Sequence, residues 1–254
     1  MLRLDGVGKR FGGLPALDQV SFSVPRGQVT ALIGPNGAGK STLINCVTGV
    51  LQPTSGAISF AGQELAGQPP HAIAGLGIAR TFQNLKLFPR LSVLENVLTG
   101  LTCEAGSSLL MAMLRPPYLR HRERQLKLRA LDALDRFGLT DKSGWPAGVL
   151  AYGDKKRVEL ARACVGEPQL VLLDEPVAGL NAAETAAVGE QLKRLRAAGQ
   201  TLLLVEHDME LVMEMADQVV VLDSGRCIAR GTPDEVRRNP LVLEAYLGRT
   251  EVTA

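Results

Sequence analysis

Hydrophobic residues in this chain keep two rhythms. Nearly unbroken apolar runs stand at Val29–Ile33, Leu170–Leu173 and Thr201–Val205, as expected of strands covered on both faces in a parallel sheet. Val20–Val24 alternates apolar with polar and ends at the turn Pro25-Arg26-Gly27, and Ala57–Phe60, Gln218–Leu222 and Arg226–Ala229 complete the predicted strands. Helical spacing takes over elsewhere. Lys40 to about Val47, Lys155–Cys164 and Asp208–Ala216 read as helices, and Tyr118–Phe137 places Leu126, Leu128, Leu131, Leu134 and Phe137 at roughly helical intervals. Ser92 with Glu95, Asn181 with Glu184 and Thr232 with Glu235 have the spacing of helix-opening caps. Gly199 closes the second of these helices and Pro233 sits at the first helical position of the third. Gly62–Gly77 is rich in glycine and proline and reads as loop.

Strand, loop and helix in repetition predict an α/β fold with a mostly parallel sheet. An N-terminal antiparallel β region accompanies it. The mostly helical stretch 86–155 reads as a subdomain inserted into a core formed by 1–85 and 156–254.

Composition narrows the field. The chain has 254 residues, enough for one or two domains. Lys and Arg number 28 against 26 Asp and Glu, a formal net charge of +2, too small for nucleic-acid binding through bulk charge. No apolar run reaches the roughly 18 residues of a membrane span, and Met1-Leu2-Arg3-Leu4-Asp5 lacks the apolar stretch of a signal peptide. Cys46, Cys103, Cys164 and Cys227 lie far apart with no C-x-x-C pair, which disfavours a zinc site or disulfide scaffold and fits a reducing cytoplasm.

The chemistry is concentrated at three places. Gly34-Pro35-Asn36-Gly37-Ala38-Gly39-Lys40-Ser41, running on into Thr42, follows a predicted strand and opens a predicted helix, the setting of a phosphate-cradling loop. Glycines let successive backbone N–H groups converge on phosphate oxygens, and the helix start adds partial positive charge. Lys40 is expected to reach the β- and γ-phosphates of a nucleoside triphosphate, and Ser41 to offer its hydroxyl to Mg²⁺. The strand Leu170–Leu173 ends in Asp174 and Glu175. At the carboxyl end of a parallel strand, Asp174 is suited to hold Mg²⁺ through water, and Glu175 to orient or deprotonate an attacking water. The strand Thr201–Val205 runs into Glu206-His207-Asp208. There His207 either polarises the γ-phosphate or is a turn histidine bonded to a neighbouring carboxylate.

Taken in order, these segments resemble the ATP-binding subunits of ABC transporters over nearly the whole chain. Asp174-Glu175-Pro176 matches that family's acidic motif, and Thr81-Phe82-Gln83 its Q-loop, whose glutamine joins the Mg²⁺ shell and couples to membrane subunits. Leu150-Ala151-Tyr152-Gly153-Asp154 stands where the signature Leu-Ser-Gly-Gly-Gln is found, Ala178-Gly179-Leu180-Asn181 matches the D-loop, His207 the switch histidine, and Phe11 the aromatic that stacks on adenine. The resemblance implies a RecA-like P-loop core and ATP with Mg²⁺ as the bound groups. It also implies a head-to-tail dimer in which each signature segment closes over the other subunit's ATP. Further implied partners are two membrane permease subunits and, indirectly, a periplasmic solute-binding protein. The chain would then sit in the cytoplasm on the inner face of the membrane.

Departures from the pattern matter. Ala151 removes the signature hydroxyl, a neutral hydrogen bond worth about 0.5–1.5 kcal/mol. Tyr152 replaces glycine and Asp154 replaces glutamine, while Gly153 keeps the close backbone approach. Asp154 reads either as a helix-start acid or as a nucleotide contact. Asn181 stands where aspartate is common.

Phe11-Gly12-Gly13-Leu14, Arg80–Leu85, the signature segment and the tail from Gly231 to Gly248 are similar to the branched-chain amino-acid importers, in particular the longer of their two ATPases. Urea and lipopolysaccharide-export ATPases stay open as alternatives, as does a soluble ABC ATPase. A kinase or GTPase would leave the signature segment unexplained. Arg115–Arg129 is a solvated charged face or a contact for anionic headgroups or permease loops. Leu85, Leu87, Phe88 and Leu91 divide between core and a docking groove for a membrane-subunit helix.

Overall fold

The computed structural model describes residues 1–101 and 117–247. Cys103, Gly106-Ser107-Ser108, Arg115, Pro116 and Gly248 lie outside the described residues. The chain opens with β1 (Leu2–Phe11) and β2 (Leu14–Val24), an antiparallel pair joined through Gly12-Gly13. β1 also pairs with β4 (Ser55–Phe60), and β4 with the short β5 (Gln63–Glu64), giving a four-stranded antiparallel sheet in the order β2-β1-β4-β5.

A second sheet has six strands in the order β10-β9-β3-β8-β7-β6. These are β3 (Val29–Ile33), β6 (Ile78–Arg80), β7 (Leu170–Asp174), β8 (Thr201–Val205), β9 (Gln218–Asp223) and β10 (Arg226–Gly231). All run parallel except β10, which returns antiparallel along β9. The register is level at one edge: Leu32 pairs with Val205, Val205 with Asp174, and Arg80 with Leu172.

The unbroken apolar runs are explained by the layers on either side. Leu32, Leu172, Leu203 and Val205 enter the core shared with the antiparallel sheet and α1 (Lys40–Val47). Val171, Leu173, Leu202 and Leu204 enter the opposite core with α3 (Val93–Leu98), α4 (Pro117–Arg136), α5 (Tyr152–Cys164) and α6 (Ala182–Ala197). A third cluster joins β3 and β9 to α7 (Met209–Met215), α8 (Pro233–Arg237) and α9 (Pro240–Leu247). Successive strand residues point to opposite faces, and both faces are dry.

The three capping boxes form as spaced: Ser92 with Glu95, Asn181 with Glu184, and Thr232 with Glu235 each exchange both hydrogen bonds. α5 begins at Tyr152, ahead of the expected Lys155, and so crosses the boundary drawn at 155/156. The stretch Gly62–Gly77 is not all loop: it holds α2 (Pro70–Gly75), started by proline at the first turn. In α4 the buried stripe is Ala130, Ala133 and Leu134, continued by Phe137 just past its end, with Leu126 packed against it. Leu128, two residues from Leu126 and hence on the opposite side, is 59% exposed and belongs with the charged residues Arg122, Arg124 and Lys127. β1, β6 and α9 went unread in the sequence, because β1 mixes Gly and Lys into its alternation and β6 has three residues.

Leu134 is fully buried where α4 meets the sheet-facing core. Leu134→Ala should destabilise the protein by about 2–5 kcal/mol. The shift of the urea midpoint at unchanged m-value measures it.

Candidate functional site: a nucleotide site at the sheet edge

The carboxyl ends of β3, β6, β7 and β8 lie side by side, and the segments with chemistry follow them directly. After β3 the chain turns sharply through Gly34 (φ 147°), Gly37 (φ 80°) and Gly39 (φ 100°). At Gly34 a Cβ would stand 2.0 Å from the Leu222 carbonyl oxygen, and at Gly39 2.7 Å from that of Ala16. Only glycine lets the loop lie so close to β9 and β2. Gly39 ends the loop as the N-cap of α1 without a side-chain cap, so the first N–H groups of α1 are left for an incoming acceptor. Asn36 and Gly37 are exposed at the bend, and Ser41 and Thr42 occupy the first turn of α1. Lys40 Nζ donates to the carbonyls of Gly34 (2.6 Å) and Pro35 (3.0 Å), which holds the ammonium across the loop. Burial pulls its pKa below the ordinary lysine range, and Glu175 and Asp174 act against that pull.

Asp174 is buried at the end of β7 and paired with Arg80 Nη2 at 2.9 Å. Arg80 ends β6 and also donates to Asn45 Oδ1 (2.7 Å) and Thr48 Oγ1 (3.3 Å) at the end of α1. The acid is thereby tied to the helix that starts at the phosphate loop. Glu175 has a left-handed backbone (φ 48°) that breaks the strand. Its Oε2 accepts from Gln83 Nε2 at 2.8 Å.

Glu206 at the end of β8 is wholly buried and accepts from the N–H groups of His207 (3.0 Å) and Val177 (3.3 Å). Burial raises its pKa, and those backbone donors oppose the shift. The His207 side chain is 64% exposed, its Nδ1 3.7 Å from Glu206 Oε2. Phe11 stands half-exposed at the end of β1, with Lys9 Nζ 5.4 Å from its ring centre.

The signature segment differs from its sequence reading. Ala151 is the exposed N-cap of α5. Asp154 is 8% exposed, and its carboxylate is taken up on both oxygens, by Lys142 at 2.5 Å and by Arg157. The helix-start acid is therefore the reading this geometry favours, and nucleotide contact through that carboxylate finds no support in it. Burial alone would raise its pKa; the two cations overcome this and hold it below the usual carboxylate range. The Gly153 N–H donates to Glu184 Oε1 at 3.2 Å, and the Tyr152 ring packs against Gly179.

The comparisons with known proteins accord with this arrangement. Residues 17–178 match the family model described as ABC transporter. This chain belongs to the ABC transporter ATPase family. Residues 226–252 match a second model, described as branched-chain amino acid ATP-binding cassette transporter. The chain is 43% identical to the high-affinity branched-chain amino acid transport ATP-binding protein BraF of Pseudomonas aeruginosa and 42% identical to LivG of Escherichia coli, with 98% of each chain covered in both cases. Among solved structures, the ADP conformation of MJ1267, an ATP-binding cassette of an ABC transporter, superposes with a TM-score of 0.84 at 35% identity, covering 98% of both chains.

Arg80, Asn45, Lys156 and Glu159 also shape the site of this ABC ATPase, and sequence reasoning gave them no part in it; Glu184, read only as a helix cap, also takes the Gly153 N–H. The available signals were slight: an arginine ending an apolar strand, and ionic residues on the inner face of α5.

Asp154 yields a test with a definite sign. Its folded-state pKa lies below the unfolded value of about 3.9, so its contribution is complete above that range and is lost as pH falls through the folded value. Asp154→Asn should cost roughly 1–3 kcal/mol at pH 7, and the difference from wild type should narrow progressively as pH falls below about 4 and through the folded value. A difference that does not narrow at all as the pH falls below about 4 would contradict this.

Proposed function

We propose that this chain is the ATP-hydrolysing subunit of an importer for branched-chain amino acids. The observation that carries the reading is the meeting of phosphate loop, paired acids, glutamine and histidine at one sheet edge, in a chain alike over its length to ATPases named for that transport. ATP is the substrate. Phe11 is suited to its adenine, and the backbone from Gly34 to Thr42 with Lys40 to its phosphates. The donor set of Ser41, Gln83 and, through water, Asp174 fits Mg²⁺, being oxygen ligands with one carboxylate. When bound, Mg²⁺ would neutralise charge on the phosphate oxygens.

Glu175 takes the part of general base. Water attacks the γ-phosphorus, its proton passes to the Glu175 carboxylate, and the bond to the ADP oxygen breaks. Gln83 orients the carboxylate by the hydrogen bond it already makes. His207, whose backbone N–H is held by Glu206, is assigned to the γ-phosphate. The N-terminus of α5, at Ala151 and Gly153, closes over the nucleotide of a second ATPase subunit, identical or homologous.

No helix among the described residues is long and apolar enough to cross a membrane; the likeness to transport ATPases supports membrane association through permease subunits. A groove of about 530 Å³ beside the Q-loop, lined by Arg80, Phe82, Lys86, Phe88 and Arg162, offers a seat for a cytoplasmic helix of those subunits. The core of residues 1–85 and 156–254 would carry hydrolysis, and the docking groove lies where that core meets the helical stretch between its two parts.

Cells lacking this chain should lose most uptake of labelled leucine, isoleucine and valine and regain it on complementation. Unchanged uptake of all three would refute the solute assignment. In the purified protein, Glu175→Gln should lower turnover by about 10²–10⁴ with ATP binding retained. Lys40→Ala should instead abolish nucleotide binding, read by a fluorescent ATP analogue.

A further inference from the structure

The inner face of α5 carries three charged side chains spaced three apart, Lys156, Glu159 and Arg162, which hydrolysis as described leaves without a task. Each meets the main chain of the Q-loop or of the residues just after it. Glu159 Oε1 accepts from the Phe82 N–H at 3.3 Å. Arg162 Nη1 donates to the Lys86 carbonyl at 2.6 Å. Lys156 Nζ donates to the Gln83 carbonyl at 3.4 Å and, from the same ammonium, to the Glu175 carbonyl at 3.3 Å. Glu159 and Arg162 also pair with each other at 3.7 Å. Lys156 and Glu159 are each only 2% exposed.

Charges so deeply placed are costly unless partnered, and an apolar side chain would fill the same space more cheaply. Here the partners are main-chain groups of the two segments whose side chains meet in the Gln83–Glu175 hydrogen bond. Glu175 adopts a backbone conformation unfavourable for a residue with a Cβ, so its orientation has to be held from outside. The Glu175 N–H is fixed by Val205 at 2.9 Å, and its carbonyl by Lys156. Tyr152 completes the arrangement, with its ring centre 5.9 Å from Lys156 Nζ and its edge against Gly179 of the D-loop.

We infer that the Lys156–Glu159–Arg162 stripe clasps the Q-loop to the signature helix, and that Lys156 is a positioning residue that sets the main chains of Gln83 and Glu175 relative to each other. The Q-loop then follows any movement of α5, and the aim of the Glu175 carboxylate depends on a side chain that never reaches the substrate. Tyr152 serves as a cover for this ammonium. The inference rests on the roles given above to Gln83 and Glu175.

The test is Lys156→Met in the full-length chain. Hydrogen exchange of the amides of residues 82–87 in the nucleotide-free protein should quicken about tenfold, with the sheet strands unchanged. The kcat for ATP hydrolysis should fall about tenfold or more while KM and affinity for the fluorescent ATP analogue stay within about threefold. Lys156→Arg, which keeps reach and donors, should restore both. Should the methionine variant not fold, Lys156→Gln is judged by the same criteria. Wild-type exchange in residues 82–87 together with wild-type kcat overturns the inference, as does faster exchange spread evenly through the molecule. Lys40→Ala, run alongside, separates the two ideas: if it still binds nucleotide, the reading of the phosphate loop fails, while the exchange result at the Q-loop stands independently.

Discussion

Parallel strands that stop level with one another bring the ends of distant segments to one edge, and this ABC ATPase depends on that alignment. Leu32, Val205 and Asp174 are in register across β3, β8 and β7, with β6 alongside. Both faces of these strands are buried, so the register is not free to slip without exposing apolar side chains or stranding backbone donors. Phosphate loop, acids, histidine and glutamine therefore meet because hydrogen-bonded strands deliver them, although residues as far apart as 40 and 207 are involved.

Charge at this edge is distributed through intermediaries. Asp174 is balanced by Arg80, which also reaches the end of α1. Glu206 is satisfied by backbone N–H groups on two loops, and Lys40 by loop carbonyls. In each case a costly buried or half-buried charge fastens one segment to another, so desolvation is turned into positional constraint. The departures in the signature follow the same logic. Asp154, in place of glutamine, joins Lys142 and Arg157 within the subunit, and Tyr152, in place of glycine, lies over Lys156 and against Gly179. Their work lies inside this subunit, in the attachment of α5 to its surroundings.

Local physics made much of this legible from residue order alone. The glycine spacing from Gly34 to Lys40, the capping boxes at Ser92, Asn181 and Thr232, and the apolar runs of the central strands depend on near neighbours, and all appear in the structure where they were read. The outcome for Asp154 could not be chosen that way. A helix-start acid and a nucleotide contact have the same residue in the same place, and only the approach of Lys142 from outside the helix decided between them. Likewise Leu128 looks like a core residue until the side of α4 that faces the sheet is known.

The sequence by itself determined the phosphate loop, the paired acids, the order of strands and helices and the family resemblance, because dihedral preferences, capping and periodicity act over a few residues. The tertiary structure decided which charges meet: Arg80 with Asp174, Lys156 with two carbonyls, Glu184 with the Gly153 N–H. Those pairings join residues between 19 and 94 positions apart, and they exist only once packing has removed the water that would otherwise have solvated each partner.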